Sequence, residues 1–402
     1  MPRAQSFLIA VAVVAQSVCG APVASAATTI AMRERSQVAT VRIQSKLLGE
    51  TRTLHVSVPP NYRIARQRYP VVYLLDGQVR AFFDLTVAAA NYDLLGDMRD
   101  YAIPSQIVVG IEQGDRGADL ARNGELFTRF IVEELIPYVD REYRTVPYRT
   151  LIGHSLGGRF ALETFCRAPD VFPAVVAISA SLPDSVMTTV QGCMRRSFTA
   201  TTERVQQLVL SAGDRETRLI GATQRLQSFV RDSAPARWRL LVVDGKGLGH
   251  TETPFATIPP AIRFIFDRSV WEMPSASADS MVNHVGDPIS RIEAHARAAS
   301  ARVGYRVTAS AKWMEVIAQT LLSRVDLDGA TAAANRLIEA YPENITGYTI
   351  LADVHVLRRD NAAARRAVMD ALQLLDRLET FDEGQRAMQR ASLRKSLASI
   401  AG

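Results

Sequence analysis

The chain has 402 residues, 48% of them hydrophobic, which is enough to build more than one sizeable core. Its formal charge of +6 comes from 47 Lys and Arg against 41 Asp and Glu, spread along the chain without a long basic run. That distribution argues against a nucleic-acid partner, since a modest diffuse excess makes no binding patch. Pairs such as Arg358-Arg359 and Arg365-Arg366 read as solvated helix faces.

Residues 1–26 read as a secretory signal peptide. Arg3 gives a positive start, residues 7–15 are almost unbroken apolar sequence, and Ala24-Ser25-Ala26 offers the small-x-small pattern of a cleavage site. The apolar run is too short to span a bilayer, and no later segment is apolar for long enough. The expected mature chain, 27–402, is therefore periplasmic or secreted, with no transmembrane segment. Cys19 leaves with the signal, and Cys166 and Cys193 remain. An oxidising compartment permits them to pair, but the sequence leaves the pairing open. No spacing of Cys and His suggests a metal site.

Residues 38–268 read as an α/β domain. Strands at 38–43 and 54–58 form a hairpin around Gly49-Glu50, and Pro59-Pro60 stops the second. Tyr69–Leu75 and Ile107–Ile111 are apolar on both faces, as strands inside a parallel sheet are. A helix over 126–140 follows from Phe127, Phe130, Ile131, Leu135 and Ile136, and further strands are expected at 150–153, 174–179, 208–211 and 239–243. Strands alternating with helices predict a mostly parallel sheet.

Residues 269–306 read as a linker, with a small-polar stretch at 274–280, followed by a connector helix. Only helical signals appear over 307–402. Ala318, Ala330, Ala334, Leu337 and Pro342 have counterparts 34 residues later at Ala352, Ala364, Val368, Ala371 and Asp376. Small residues at these spacings let antiparallel helices pack closely. The stretch 311–378 resembles tetratricopeptide repeats, although Asp376 replaces the usual proline and the usual aromatic is missing at Ala334 and Val368. A last helix at 381–399 is expected to cap the stack.

Gly153-His154-Ser155-Leu156-Gly157 fits G-x-S-x-G between a strand and a helix expected over 158–166. The glycines allow the sharp turn that presents a serine hydroxyl, and the helix N-terminus, through the Leu156 N–H, favours a developing oxyanion. A serine needs a base. In the chain order of this turn type the base follows the serine, which excludes His55 and His154, while His284, His295 and His355 lie beyond the α/β region. His250 remains, in a glycine-rich loop after the strand at 239–243. The acid belongs after the strand at 208–211, where Asp214 and Glu216 are both candidates and spacing does not choose. A second oxyanion donor is expected from Asp76-Gly77-Gln78, with Gly77 permitting the turn.

These stretches, with YPVVYLLDG (69–77), VVGI (108–111), DRGADL (115–120), FIVEELIPYVDREYRT (130–145) and LIGHSLGGRFAL (151–162), resemble the esterase D-like branch of the α/β-hydrolases. That branch includes siderophore esterases, feruloyl esterases, S-formylglutathione hydrolases and mycolyltransferases. The resemblance implies Ser155 as nucleophile, His250 as base, Glu216 in preference to Asp214 as acid, and Gln78 in preference to Gly77 as oxyanion donor beside Leu156. It implies no metal and no organic cofactor. Only residues 121–125 separate the DL motif from the next helix, so a lid there is expected to be short, with 181–204 as the alternative cover. In relatives of this layout helical repeats can follow the hydrolase domain, and residues 291–305 resemble the connector. The expected protein is an exported serine esterase acting on a small-molecule ester. Two competing readings are an acyltransferase using the same three residues and a scaffold whose repeats bind a protein partner or a second copy.

Overall fold

The computed structural model describes residues 37–91, 104–199, 204–271, 282–283 and 287–400; the expected signal peptide and the stretch 274–280 lie outside them. Strands β1 (Gln37–Gln44), β2 (Thr51–Val58), β3 (Tyr69–Leu75), β4 (Ile107–Ile111), β5 (Thr145–His154), β6 (Ala174–Ile178), β7 (Gln206–Gly213) and β8 (Trp238–Gly245) form one sheet in the order β1-β2-β4-β3-β5-β6-β7-β8. β1 and β2 pair antiparallel, as do β2 and β4, and every pairing from β4 to β8 is parallel.

The strand period of two sorts the core onto two faces. Val71, Tyr73 and Leu75 point into a cluster with Phe127, Phe130, Phe160 and Leu226. Val72 and Leu74 point the other way, toward Phe83, Ile258 and Ile262. Helices α1 (Arg80–Ala90) and α7 (Thr253–Ile265) cover that second face. The first is covered by α2 (Gly124–Phe130), α3 (Ile136–Glu142), α4 (Leu156–Arg167), α5 (Asp184–Phe198) and α6 (Thr217–Ser233). The helix read over 126–140 is α2 and α3 joined through a π-helical turn, Ile131–Leu135. A disulfide between Cys166 and Cys193 ties the end of α4 to α5. Closing a loop of this length stabilises a fold by roughly 2–4 kcal/mol.

After the short α8 (Arg268–Trp271) comes a run of helices: α9 (Pro288–Val303), α10 (Ala311–Ser323), α11 (Leu327–Ala340), α12 (Ile345–Leu357), α13 (Asn361–Arg377) and α14 (Glu383–Ser399). α10 and α12 begin 34 residues apart, and so do α11 and α13. Ala330, Ala333 and Ala334 of α11 are fully buried against α10 and α12, and Ala364 and Ala371 of α13 form the next such layer.

The array is fixed to the α/β part at several points. The Asn61 Oδ1 accepts the Glu379 N–H at 2.6 Å, and the Gln67 amide donates to the Ala340 carbonyl at 3.0 Å. Tyr148 and Phe266 of the α/β core pack edge-on or tilted against Trp271, which in turn meets Tyr305. No helix among the described residues is long and apolar enough to cross a membrane.

Candidate active site

The C-terminal ends of β3, β5, β6, β7 and β8 converge on one rim, where loops after parallel strands gather functional groups. β5 turns into α4 at Ser155, whose φ of 58° is rare for a residue with a side chain. The turn is this tight because Gly153 lacks a Cβ: one placed there would lie 2.1 Å from the Gly157 carbonyl oxygen. The backbone is held by the Ser155 N–H donating to Ile178 O at 2.8 Å and by the Ser155 carbonyl accepting from Ser181 N at 3.2 Å. The Ser155 hydroxyl is not spent on capping α4. The Leu156 N–H stands at the first position of that helix, where no carbonyl of the helix itself is available to it.

Glu216 and His250 are brought together. The His250 Nδ1 and the Glu216 Oε1 share a short hydrogen bond. The other carboxylate oxygen accepts from Ser179 Oγ at 2.7 Å, the Gly213 N–H at 2.6 Å and Thr253 Oγ1 at 3.3 Å. Glu216 is 9% exposed. Burial pushes its carboxyl up, but the Ser179 hydroxyl, the Gly213 N–H and His250 together hold it below the usual carboxylate range. Asp214 is exposed and takes a different task, accepting the Gly247 N–H at 2.9 Å and so bracing the loop that carries His250. That loop is further tied by Glu252 accepting the Gly249 N–H at 2.7 Å.

Gly77 and Gln78 also separate. The Gly77 N–H donates to Ile111 O at 2.9 Å, and a Cβ at Gly77 would lie 2.5 Å from the Gly110 backbone. The Gly77 N–H is thus engaged in the sheet, which rules it out as a donor to a substrate. Gln78 is exposed on the rim, its side-chain Oε1 3.4 Å from the Gln113 N–H. The turn before it is rigid: Asp76 is buried with φ 60°, and Arg116 grips its carboxylate through Nε at 2.6 Å and Nη2 at 3.0 Å. The same Nη2 donates to the His154 carbonyl at 2.9 Å, joining the ends of β3 and β5.

Residues 118–130 form a near-continuous helical segment, Ala118–Arg122 and α2, with Asp119 buried in an ion pair with Arg52 at 2.6 Å. No part of this segment extends as a lid. In 181–204, by contrast, Ser181 bonds directly to Ser155, Leu182 is buried, and α5 begins two residues later.

Sequence reasoning missed His154, Ser179 and Arg116. His154 sits inside the G-x-S-x-G motif but fails the chain-order test for a base. Ser179 follows β6 directly, and position at the C-terminal end of a parallel strand was the available signal. Among the described residues no three His, Cys, Asp or Glu side chains cluster as a metal site.

A family model described as "Putative esterase" matches residues 45–251. Among curated proteins, the ferri-bacillibactin esterase BesA of Bacillus subtilis strain 168 is 29% identical over 161 residues, 33% of this chain and 55% of its own length. An uncharacterized protein of the same strain, YjcH, is 33% identical over 156 residues, 37% of this chain and 63% of its own. The chain therefore spans less than two thirds of either relative. An IroE-like serine hydrolase from Shewanella oneidensis has a TM-score of 0.62 at 20% identity, covering 75% of this chain and 99% of that one. An uncharacterised protein from Capnocytophaga ochracea DSM 7271 has a TM-score of 0.58 at 15% identity, covering 91% and 99%, so the likeness of fold extends into the C-terminal helices. The family match takes in Ser155, Glu216 and His250 and covers just over half of the chain, and this protein belongs to that esterase family.

Proposed function

We propose that this protein is an exported serine hydrolase that cleaves a carboxylic ester through an acyl-enzyme. The observation that carries the reading is the Glu216–His250 hydrogen bond together with a serine held in a strained strand-to-helix turn at the end of β5. Ser155 Oγ attacks the ester carbonyl carbon while His250 Nε2 takes the hydroxyl proton. The carbonyl electron pair moves onto oxygen, which the Leu156 and Gln78 N–H groups receive. Collapse expels the alcohol, which leaves with the proton from His250. Water, deprotonated by His250, then attacks the acyl-enzyme, and the acid is released as Ser155 recovers its proton. Glu216, kept ionised by its donors, stabilises the imidazolium and fixes Nδ1 as the protonated nitrogen.

The name of the Bacillus subtilis relative supports a siderophore-type ester as the first substrate to try. Export rests on the N-terminal signal pattern and is supported by the Cys166–Cys193 disulfide, a bond that persists in oxidising compartments. The 34-residue offset of the C-terminal helices supports their reading as tetratricopeptide-like repeats that present a surface to a protein partner or a second copy.

The test is hydrolysis of a short-chain p-nitrophenyl ester by the mature protein, with Ser155→Ala beside it. Turnover that disappears in the variant, and fluorophosphonate labelling confined to Ser155, support the proposal. No turnover together with no labelling of Ser155 overturns it.

A further inference from the structure

The base has two partners, and Glu216 is only one of them. The second is His154, the last residue of β5 and the neighbour of Ser155. Its Nε2 lies 2.9 Å from the His250 backbone carbonyl. A carbonyl only accepts, so His154 Nε2 carries the proton of that bond. The two imidazole rings also lie against each other, with centroids 4.4 Å apart and planes at 41°. Phe82 meets His154 edge-on at 5.8 Å, which braces this ring in turn.

We propose that His154 is a positioning residue: a neutral imidazole that holds the backbone and ring of His250 in addition to the hold Glu216 has on Nδ1. This rests on the reading of Ser155 and His250 given above. The geometry asks for such a residue. His250 lies in a loop, 96 positions from His154 in sequence, and its Nδ1 bond to Glu216 leaves the ring free to pivot about that contact. A pivot of an ångström at Nε2 is enough to lose roughly a hundredfold in rate. The bond from His154 pins the main chain of the base, and the adjoining tilted ring limits rotation of its side chain.

Neutrality is part of the role. A charged ring stacked on His250 would oppose the imidazolium that forms as Ser155 attacks. The surroundings keep His154 neutral: burial and the neighbouring His250 push its imidazole down to about 4. The other charged groups facing it, Asp76 and Arg116, are paired with one another and contribute opposing effects.

The experiment compares His154→Ala, His154→Gln and His154→Phe with the unmodified protein in ester hydrolysis and in the rate of Ser155 labelling by a fluorophosphonate. Loss of the donor in His154→Ala is expected to lower kcat and the labelling rate by about ten- to a hundredfold, with KM changed by less than about threefold. The Gln side chain offers an N–H at a similar reach and is expected to recover most of that loss, while Phe keeps the stacking alone and falls between. Thermal melting of each variant separates misfolding from misplacement, and His154→Gln keeps the test alive where His154→Ala unfolds. Unchanged kcat and labelling in a folded His154→Ala overturn the inference, as does a His154→Gln no better than a folded His154→Ala. Ser155→Ala distinguishes the two levels: if it keeps turnover, the esterase reading itself falls. If it is inactive while His154→Ala matches the unmodified protein, only the role of His154 falls.

Discussion

The α/β region and the helical array treat polar and strained residues in opposite ways. Every polar or charged residue buried below 9% exposure, or at that limit, lies between Ser45 and Thr257, and none of them is in the described part of the array. Strain is divided less sharply: Asn61 of the α/β region has φ 61° in the loop after β2, where it accepts the Glu379 N–H of the array. The other non-glycine residues of positive φ described in the α/β region, Asp76, Ser155 and Ser179, each lie directly after the end of a parallel strand on the same rim, and each engages a partner there. In the array Val325 and Arg359 have positive φ, 34 residues apart, in exposed turns between helices. Each precedes an aspartate that caps the next helix: Asp326 accepts from Gly329 N, and Asp360 from Ala363 N. Strain at the rim places side chains. In the array it only reverses the chain, and the core beside it mixes alanines such as Ala330 and Ala364 with Ile317, Leu337 and Leu375.

The largest expected effect breaks the α/β side of this contrast. Replacing Glu216 with Gln removes the charge that stabilises the His250 imidazolium, and turnover should fall by roughly 10²–10⁴-fold. Asp214→Asn keeps an acceptor for the Gly247 N–H and should change turnover by less than about threefold. Steady-state kinetics on both variants checks this, and a larger loss in Asp214→Asn would reverse the assignment.

That pair also shows what was legible in the sequence. β3 and β4 were readable to the residue because apolar runs with abrupt polar or proline borders mark buried strands. β5 was read from 150, but it starts at Thr145. Pro147 hid its first half, and in the structure the β3–β5 register shifts between Tyr69 and Val71, opposite that proline. Ser155 and His250 stand out as candidates in the sequence because chain order and strand position constrain them. The choice of Glu216 came from a family pattern. Its physical reason is a turn in which Glu216 N–H donates to Gly213 O at 3.1 Å and the carboxylate folds back onto Gly213 N–H, which no residue count displays. His154 and Ser179 bond to residues distant in sequence, so these contacts appear only once β5, β6 and the His250 loop are side by side.

A pH dependence sharpens the comparison at intermediate size. The folded state lowers the pKa of both His154 and Glu216. For each group the unfolded chain then binds more protons within the window between the two values, so stability falls as pH falls. For His154 that window runs from the usual imidazole range down to about 4, and for Glu216 it lies at the lower edge of the carboxylate range. The site should lose roughly 1–2 kcal/mol between pH 7 and pH 4 after allowance for solvent screening. In the loop between α11 and α12, burial instead pushes the Glu343 carboxyl up, which opposes this trend. Amide exchange, corrected for intrinsic rates, should show protection dropping around 245–255 before it drops in α12. Equal losses in both places would mean that the site's ionisations do not control its stability.

The smallest effect tests whether the array's strain is functionless. Val325 has φ 62° and is 66% exposed, so its side chain has little packing to lose. A left-handed backbone costs a residue with a Cβ about 1–2 kcal/mol, and a branched Cβ stands at the unfavourable end. Glycine removes that cost and gives back about 0.5–1 kcal/mol through the entropy of the unfolded chain. Val325→Gly should therefore stabilise the protein by about 0.5–1 kcal/mol in chemical denaturation, Arg359→Gly by somewhat less, and neither should alter kcat. Ser179→Gly relieves the same kind of strain at φ 45° but deletes a donor to Glu216. It should lower turnover even where the fold tolerates it. If Val325→Gly lowered turnover, or Ser179→Gly did not, left-handed residues of the rim and of the array would not divide into those that aim a side chain and those that turn the chain.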